Sequence, residues 1–382
     1  MITRFKSKKI IQHDRIFDGY VYTDEGKITA VTAAKLPYDV EEDLGDNYLA
    51  PGFIDLHVHG AMGIDFGNCD AKSAATAIDY HLSHGTTTIL PTFAASSNKN
   101  TLLALENLNE CIKSGLAHAN VPGVHLEGPY FSLNQCGAQN PENITAPIKE
   151  DYEYIIKEYS DIVKRWSYAP ERDEGEEFCK AVTKAGIIAS AGHTDAEFAD
   201  MERAYQNGCS LITHLYSCTS TVVRKNAYRH AGVNEFAFYN DGIFAEIIAD
   251  GAHLPPELIK LVYKIKGKDK IALITDALSV CGVDKKSGNL NGIDYIVEDG
   301  VCKLADRSSF AGSIATTDRL VYTCVKKAGL SLIDSVYMST AVPAKILNVS
   351  KGMIKERYDA DLVAFDDDIN IKAVYVGGKK YC

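Results

Sequence analysis

The chain has 382 residues, 46% of them hydrophobic and 24% charged, with a formal net charge of −11. That length exceeds what one hydrophobic core usually fills, although an α/β barrel accommodates most of it as one domain. The acidic balance argues against nucleic acid as a partner, and no apolar run is long enough to span a bilayer, so no membrane partner is expected.

The first twenty residues, "MITRFKSKKIIQHDRIFDGY", contain no apolar stretch of signal-peptide length and no small-residue cleavage site, which predicts a cytoplasmic protein. Ten cysteines without a CxxC pair fit reduced thiols better than a disulfide frame or a thiolate zinc site. The early segment "RIFDGYVYTDEGKITAV" reads as strands broken by Gly and Asp turns, and so does "ADLVAFDDDINIKAVYVGGK" near the end. Both are assigned to one small β-sandwich domain, residues 1–50 plus 350–382.

From Pro51 onward, eight short apolar, β-branched runs alternate with helical segments: "FIDLHVH", "GTTTILPTF", "VPGVHLEGP", "VKRWSYAPE", "GIIASAGH", "CSLITHLY", "IFAEIIADGAH" and "KIALITDAL". Near-continuous apolar runs are what strands buried on both faces look like. The segment "TDAEFADMERAYQNG" predicts a helix capped by Thr194 or Asp195. Eight strands alternating with helices predict an α/β fold, a (β/α)8 TIM-like barrel over residues 51–349, with its site at the carboxyl ends of the strands. After the eighth run, "GIDYIVEDGVCKLA" predicts a hairpin turning at Asp299-Gly300.

Alternate side chains of a strand share a face, so His57 and His59 can hold one metal ion together. Glu127, His193 and His214 each end another run. Imidazoles with a carboxylate at one barrel mouth suit zinc or another first-row metal, with iron, manganese and cobalt also accepted. Asp276, ending the eighth run, can ligate a metal, act as a base, or cap the following loop. His125 faces the same way as Glu127 and fits a packing role better than a supporting one. His13, His81, His84 and His118 read as surface or packing residues.

The set "PGFIDLHVHG", "HLEGPYF", "AGHTD", "THLY", "IIADGAH", "LITDAL" and "FAGS" resembles the amidohydrolase superfamily and, within it, the N-acetylglucosamine-6-phosphate deacetylases. The resemblance implies that Glu127, His193 and His214 hold a shared metal, that Asp276 is the general acid/base, and that His57 and His59 bring a second ion bridged by Glu127 and contacted by Asp276. It implies hydrolysis of the acetamide of N-acetyl-D-glucosamine 6-phosphate to acetate and the amino-sugar phosphate. His253 and the segment Phe310, Ala311, Gly312 would line the sugar pocket.

Two motifs depart from that pattern. In "GAQNP", Ala138 is followed by Gln139 where the family carries a histidine that donates to the substrate carbonyl; a glutamine NH2 can donate but cannot become cationic. In "HLYSCTSTVVRKNAYRHAGV", Ser217 and Cys218 replace the family's phosphate-holding Asn-Ala pair, and Arg229 falls near the place of an arginine supplied by the neighbouring subunit, which implies a homodimer. Arg224, Lys225, Arg229 and His230 form a basic cluster suited to phosphate oxygens. A deacylase of another N-acyl amine is the alternative: the galactosamine isomer, an unphosphorylated amino sugar or an N-acyl amino acid. A cyclic-amide hydrolase is disfavoured because no lysine stands at the carboxylated-lysine place, and a non-catalytic scaffold because no metal ligand is lost.

Overall fold

The computed structural model describes residues 1–290 and 292–382. All eight apolar runs form strands of one parallel sheet: Phe53–Val58, Thr86–Phe93, Val124–Glu127, Val163–Tyr168, Ile188–Ala191, Leu211–Ile212, Phe244–Ile247 and Ile271–Leu273, each hydrogen-bonded to the next. The Phe53–Val58 strand is buried at every position, as a strand covered on both faces must be. The barrel closes where Val58 bridges Ala277 in parallel, with the Asp276 N–H donating to the His57 carbonyl at 2.8 Å. This seam sets the first strand's histidines beside the eighth strand's aspartate.

Strands from both termini form a second sheet, ordered Lys379–Lys380, Ile371–Val376, Leu362–Phe365, Tyr48–Pro51, Thr3–Ile11, Ile16–Asp24, Lys27–Thr32, with Val40–Asp43 also pairing on Thr3–Ile11. The expected sandwich is thus one continuous sheet folded over itself. Phe5 and Tyr375, on strands that are not neighbours in it, meet edge to face at 4.9 Å over a core of Val21, Ile28, Leu49 and Leu362. Ile11, Val363 and Phe365 join the barrel's own core, so the sheet is anchored on the barrel through apolar contact.

Two local expectations change. The predicted hairpin does turn at Asp299-Gly300, both residues having positive φ, but it belongs to a four-stranded sheet with Ser287–Leu290 and Phe310–Gly312 as its outer strands. The helix expected to start after Thr194 or Asp195 starts at Phe198, capped at Glu197, whose N–H donates to Asp200 Oδ2 at 2.8 Å. Thr194 and Asp195 cannot cap it because their side chains bond elsewhere, to Glu171 and to residues 132–135. Among the described residues no helix is long and apolar enough to cross a membrane.

Candidate active site

His57 and Glu127 lie within their strands, whereas three other barrel strands end just short of the residues they deliver. His193 lies two residues beyond its strand, His214 two and Asp276 three, and all three have left-handed backbone, with φ of 48°, 28° and 49°. Left-handed non-glycine residues cost of order 1–3 kcal/mol each and persist only where surrounding structure holds them. Here the turn swings each side chain from the strand direction into the barrel mouth.

Six side chains meet there. Glu127 Oε1 lies 3.0 Å from His214 Nε2, 3.2 Å from His193 Nε2 and 3.3 Å from His57 Nε2, while Oε2 lies 3.3 Å from His59 Nε2. Asp276 Oδ1 lies 3.1 Å from His59 Nε2 and 3.5 Å from His57 Nε2. Ligands about 2.0–2.1 Å from a tetrahedral zinc stand about 3.3 Å apart, so this spacing could accommodate a shared cation. The ligand atoms of His57, His59 and Asp276 lie within 4.8 Å of one another, as do those of His57, Glu127 and His214. Nitrogen and carboxylate donors in this number fit a borderline divalent metal.

Electrostatics point the same way. Burial opposes charge on His57 and His59, yet the adjoining Glu127 and Asp276 carboxylates outweigh it and raise both, His59 to about 10. Burial would lift Glu127, but the surrounding imidazoles hold it well below the usual carboxylate range. His59 in the protein alone thus favours its protonated form beside the carboxylates, a proton that a bound cation would displace, while burial lowers His214.

Behind the site lies a buried network that the sequence did not announce. Arg165 is bidentate to Glu246 and also donates to the Leu56 carbonyl at 3.2 Å, Thr213 at 2.8 Å and Ser190 at 3.1 Å. Glu246 Oε2 is 3.8 Å from His57 Nδ1. The visible signal was charge inside two apolar runs, Lys164 and Arg165 in "VKRWSY" and Glu246 in "FAEII". His125 packs edge-on against His57 with ring centroids 4.7 Å apart and bonds Ser167 at 2.7 Å, a buried support for His57.

A cavity of roughly 280 Å3 opens over these residues, and every expected substrate contact but one lines it: Ala138, Gln139, Ser217, Cys218, His253, Phe310, Ala311 and Gly312. Gln139 donates to Glu127 Oε2 at 2.7 Å and accepts from the Ala95 N–H at 2.8 Å, which fixes the direction of its amide. His253 is held by Asp250, 2.7 Å from its Nδ1, and stacks near Phe310 at 4.5 Å. The cavity is also walled by Asp65, Tyr216, Leu278, Leu290, Ile293 and Tyr295, which sequence reasoning missed because most sit on loops and on the four-stranded sheet.

Arg229 does not line this cavity. It lies on an exposed hairpin, Val223–Lys225 paired with Tyr228–His230, directly opposite Arg224. Lys225 and His230 are engaged by Glu197, whereas neither arginine forms an ion pair among the described residues.

The Amidohydrolase family model matches residues 48–381. An N-acetylglucosamine-6-phosphate deacetylase of Bacillus subtilis is 32% identical over 95% of this chain and 92% of its own. Its namesake from Bos taurus is 30% identical over 89% and 85%. Among solved structures, a Mycobacterium smegmatis N-acetyl-D-glucosamine-6-phosphate deacetylase in complex with N-acetyl-D-glucosamine-6-phosphate superimposes with a TM-score of 0.91 at 26% identity, covering 99% of each chain. The Pasteurella multocida N-acetylglucosamine-6-phosphate deacetylase gives 0.93 at 28%, covering 100% of each.

Proposed function

Since the chain belongs to the amidohydrolase family, we propose that it hydrolyses the acetamide of N-acetyl-D-glucosamine 6-phosphate, giving D-glucosamine 6-phosphate and acetate in amino-sugar catabolism. The observation that carries this reading is the cluster of His57, His59, Glu127, His193, His214 and Asp276, all but His57 lining one cavity, in a fold matched over its full length by such deacetylases.

In this reading Glu127, His193 and His214 would hold one divalent ion, and His57, His59 and Asp276 would hold a second. Zinc suits the donors best. When bound, the metal supplies Lewis-acid polarisation of the acyl oxygen and an ionised water at neutral pH. Asp276 takes the proton from the attacking water and passes it to the sugar nitrogen as the C–N bond breaks, so the amine leaves neutral. Gln139 directs its remaining N–H at the developing oxyanion. His253, fixed by Asp250, contacts the sugar. The protein works in the cytoplasm as a homodimer, with Arg229 of each subunit meeting the 6-phosphate bound by its neighbour.

One observation favours a second reading. Among the described residues no lysine or arginine lines the cavity, and Tyr216, Leu278, Leu290, Ile293, Tyr295 and Phe310 give it large apolar or aromatic walls. Such a wall also suits an uncharged N-acyl amine. Acetate release by metal-loaded protein from the 6-phosphates of N-acetylglucosamine and N-acetylgalactosamine and from their unphosphorylated forms separates the two. Turnover of the glucosamine 6-phosphate compound is expected, falling at least 10²-fold in Asp276→Asn. Preference for the unphosphorylated sugars would replace the first reading by the second.

A further inference from the structure

Asp195 stands outside the ligand set, yet it gathers more side-chain donors than any carboxylate near the mouth needs for solubility. Its Oδ2 accepts from Ser132 Oγ at 2.6 Å and Asn134 Nδ2 at 3.0 Å, and its Oδ1 from Gln135 Nε2 at 2.8 Å. Its own backbone is pinned from behind. The Asp195 N–H donates to Glu171 Oε1 at 2.7 Å, and Thr194 Oγ1 bonds the other oxygen of the same carboxylate.

The segment so gripped, residues 132–139, closes directly onto the ligands. The Gln135 carbonyl lies 2.8 Å from His193 Nδ1, the Ser132 N–H donates to the His193 carbonyl at 2.9 Å, and Gln139 Nε2 donates to Glu127. His193 Nδ1 therefore carries the proton and Nε2 is left free to face Glu127. Gln135 takes part twice, its side chain on Asp195 and its carbonyl on the histidine. One carboxylate thus holds a loop that orients two of the three ligands of one metal position.

We propose that Asp195 is a positioning residue, a clamp that holds the 132–139 loop against His193 and Glu127 and thereby sets how tightly the metal is retained. The proposal rests on the metal-dependent reading above. Partners that orient metal ligands typically contribute 10- to 100-fold to metal affinity or activity when removed. Asp195→Ala deletes all three acceptor contacts. Asp195→Asn keeps an oxygen for Ser132 and Asn134, and Gln135 can turn its amide to accept from the new NH2.

The test uses the full-length zinc-loaded protein and a chromophoric chelator, with amide hydrogen exchange read alongside. In Asp195→Ala, zinc loss accelerates about 10- to 100-fold, exchange rises over 132–139 and not across the barrel, and kcat falls with little change in KM. Asp195→Asn stays near the unmodified protein. Should Asp195→Ala not fold, Gln135→Ala removes one of the three donors and gives a smaller acceleration of zinc loss. Unchanged zinc retention in the folded variant, or faster loss accompanied by exchange rising throughout the barrel, overturns the clamp. Zinc loss and exchange need no substrate, so a protein silent on the acetamide but showing the Asp195 effects would overturn the deacetylase reading alone.

Discussion

Gln139 is the residue where this chain parts most clearly from the pattern it otherwise follows. Its amide oxygen satisfies the buried Ala95 N–H and its nitrogen donates to Glu127, so rotation is blocked and the second N–H points to the cavity it lines. Loss of an oxyanion donor costs roughly 10² to 10³ in kcat. Gln139→Ala should therefore lower kcat by about 10² and leave KM nearly unchanged, as steady-state acetate release would show; an unaltered kcat would remove Gln139 from the reaction. The six ligand-type residues were legible in sequence because each ends an apolar run, and strand ends converge in a barrel. Asp195, Glu171, Arg165 and Glu246 were not. Their meaning lies in partners 23 to 109 residues away, and nothing in an apolar run tells which distant strand will face its buried charge.

Helices and strands show the same division between local and distant causes. All eight strands were readable from composition, and the turn at Asp299-Gly300 from its dipeptide, whereas the start of the Phe198–Gln206 helix was misplaced because Thr194 and Asp195 serve long-range bonds instead of capping. The helix Pro256–Lys266 makes a distant contact with a measurable consequence. Lys266, in its last turn, donates to the carbonyls of Asn240 at 2.8 Å and Ile243 at 2.9 Å, tying the helix to the entry of the Phe244–Ile247 strand. Burial lowers this amine from its ordinary 10.5 to about 8. Below pH 8 the folded state carries the cost of a charged, partly buried amine. As pH rises from about 8 to 10.5 the folded protein sheds that proton before the unfolded chain does, so the cost disappears and this group adds to stability. Chemical denaturation of the native protein and of Lys266→Met across that range should show the difference in their stabilities growing with pH in favour of the native lysine; a pH-independent difference would contradict the shift.

At the scale of the whole molecule, the arrangement of charge bears on the proposed dimer. A phosphorylated substrate in a chain of net charge −11 needs a local cation, no lysine or arginine among the described residues lines the cavity, and Arg224 and Arg229, neither in an ion pair among the described residues, stand together on an exposed hairpin. Directly opposed like charges on a hairpin are destabilising, so Arg224 and Arg229 fit a place where an anion arrives. A two-fold dimer places the same hairpin of each copy at equivalent positions on the other, so an arginine given in trans serves both sites at once. That geometry has a numerical consequence. In the proposed dimer, Arg229→Ala and Asp276→Asn would each impair every site when alone, the first by removing what the neighbour receives and the second by disabling its own chemistry. In a mixed dimer, the Arg229→Ala subunit keeps Asp276 and receives a native arginine, while the opposite site has neither. Random co-assembly of equal amounts makes half the dimers mixed, each with one working site, so co-expressed variants should recover about a quarter of native activity on the 6-phosphate. If Arg229 instead served its own subunit, no mixed dimer would contain a complete site, and co-expression would give only the average of the two impaired proteins.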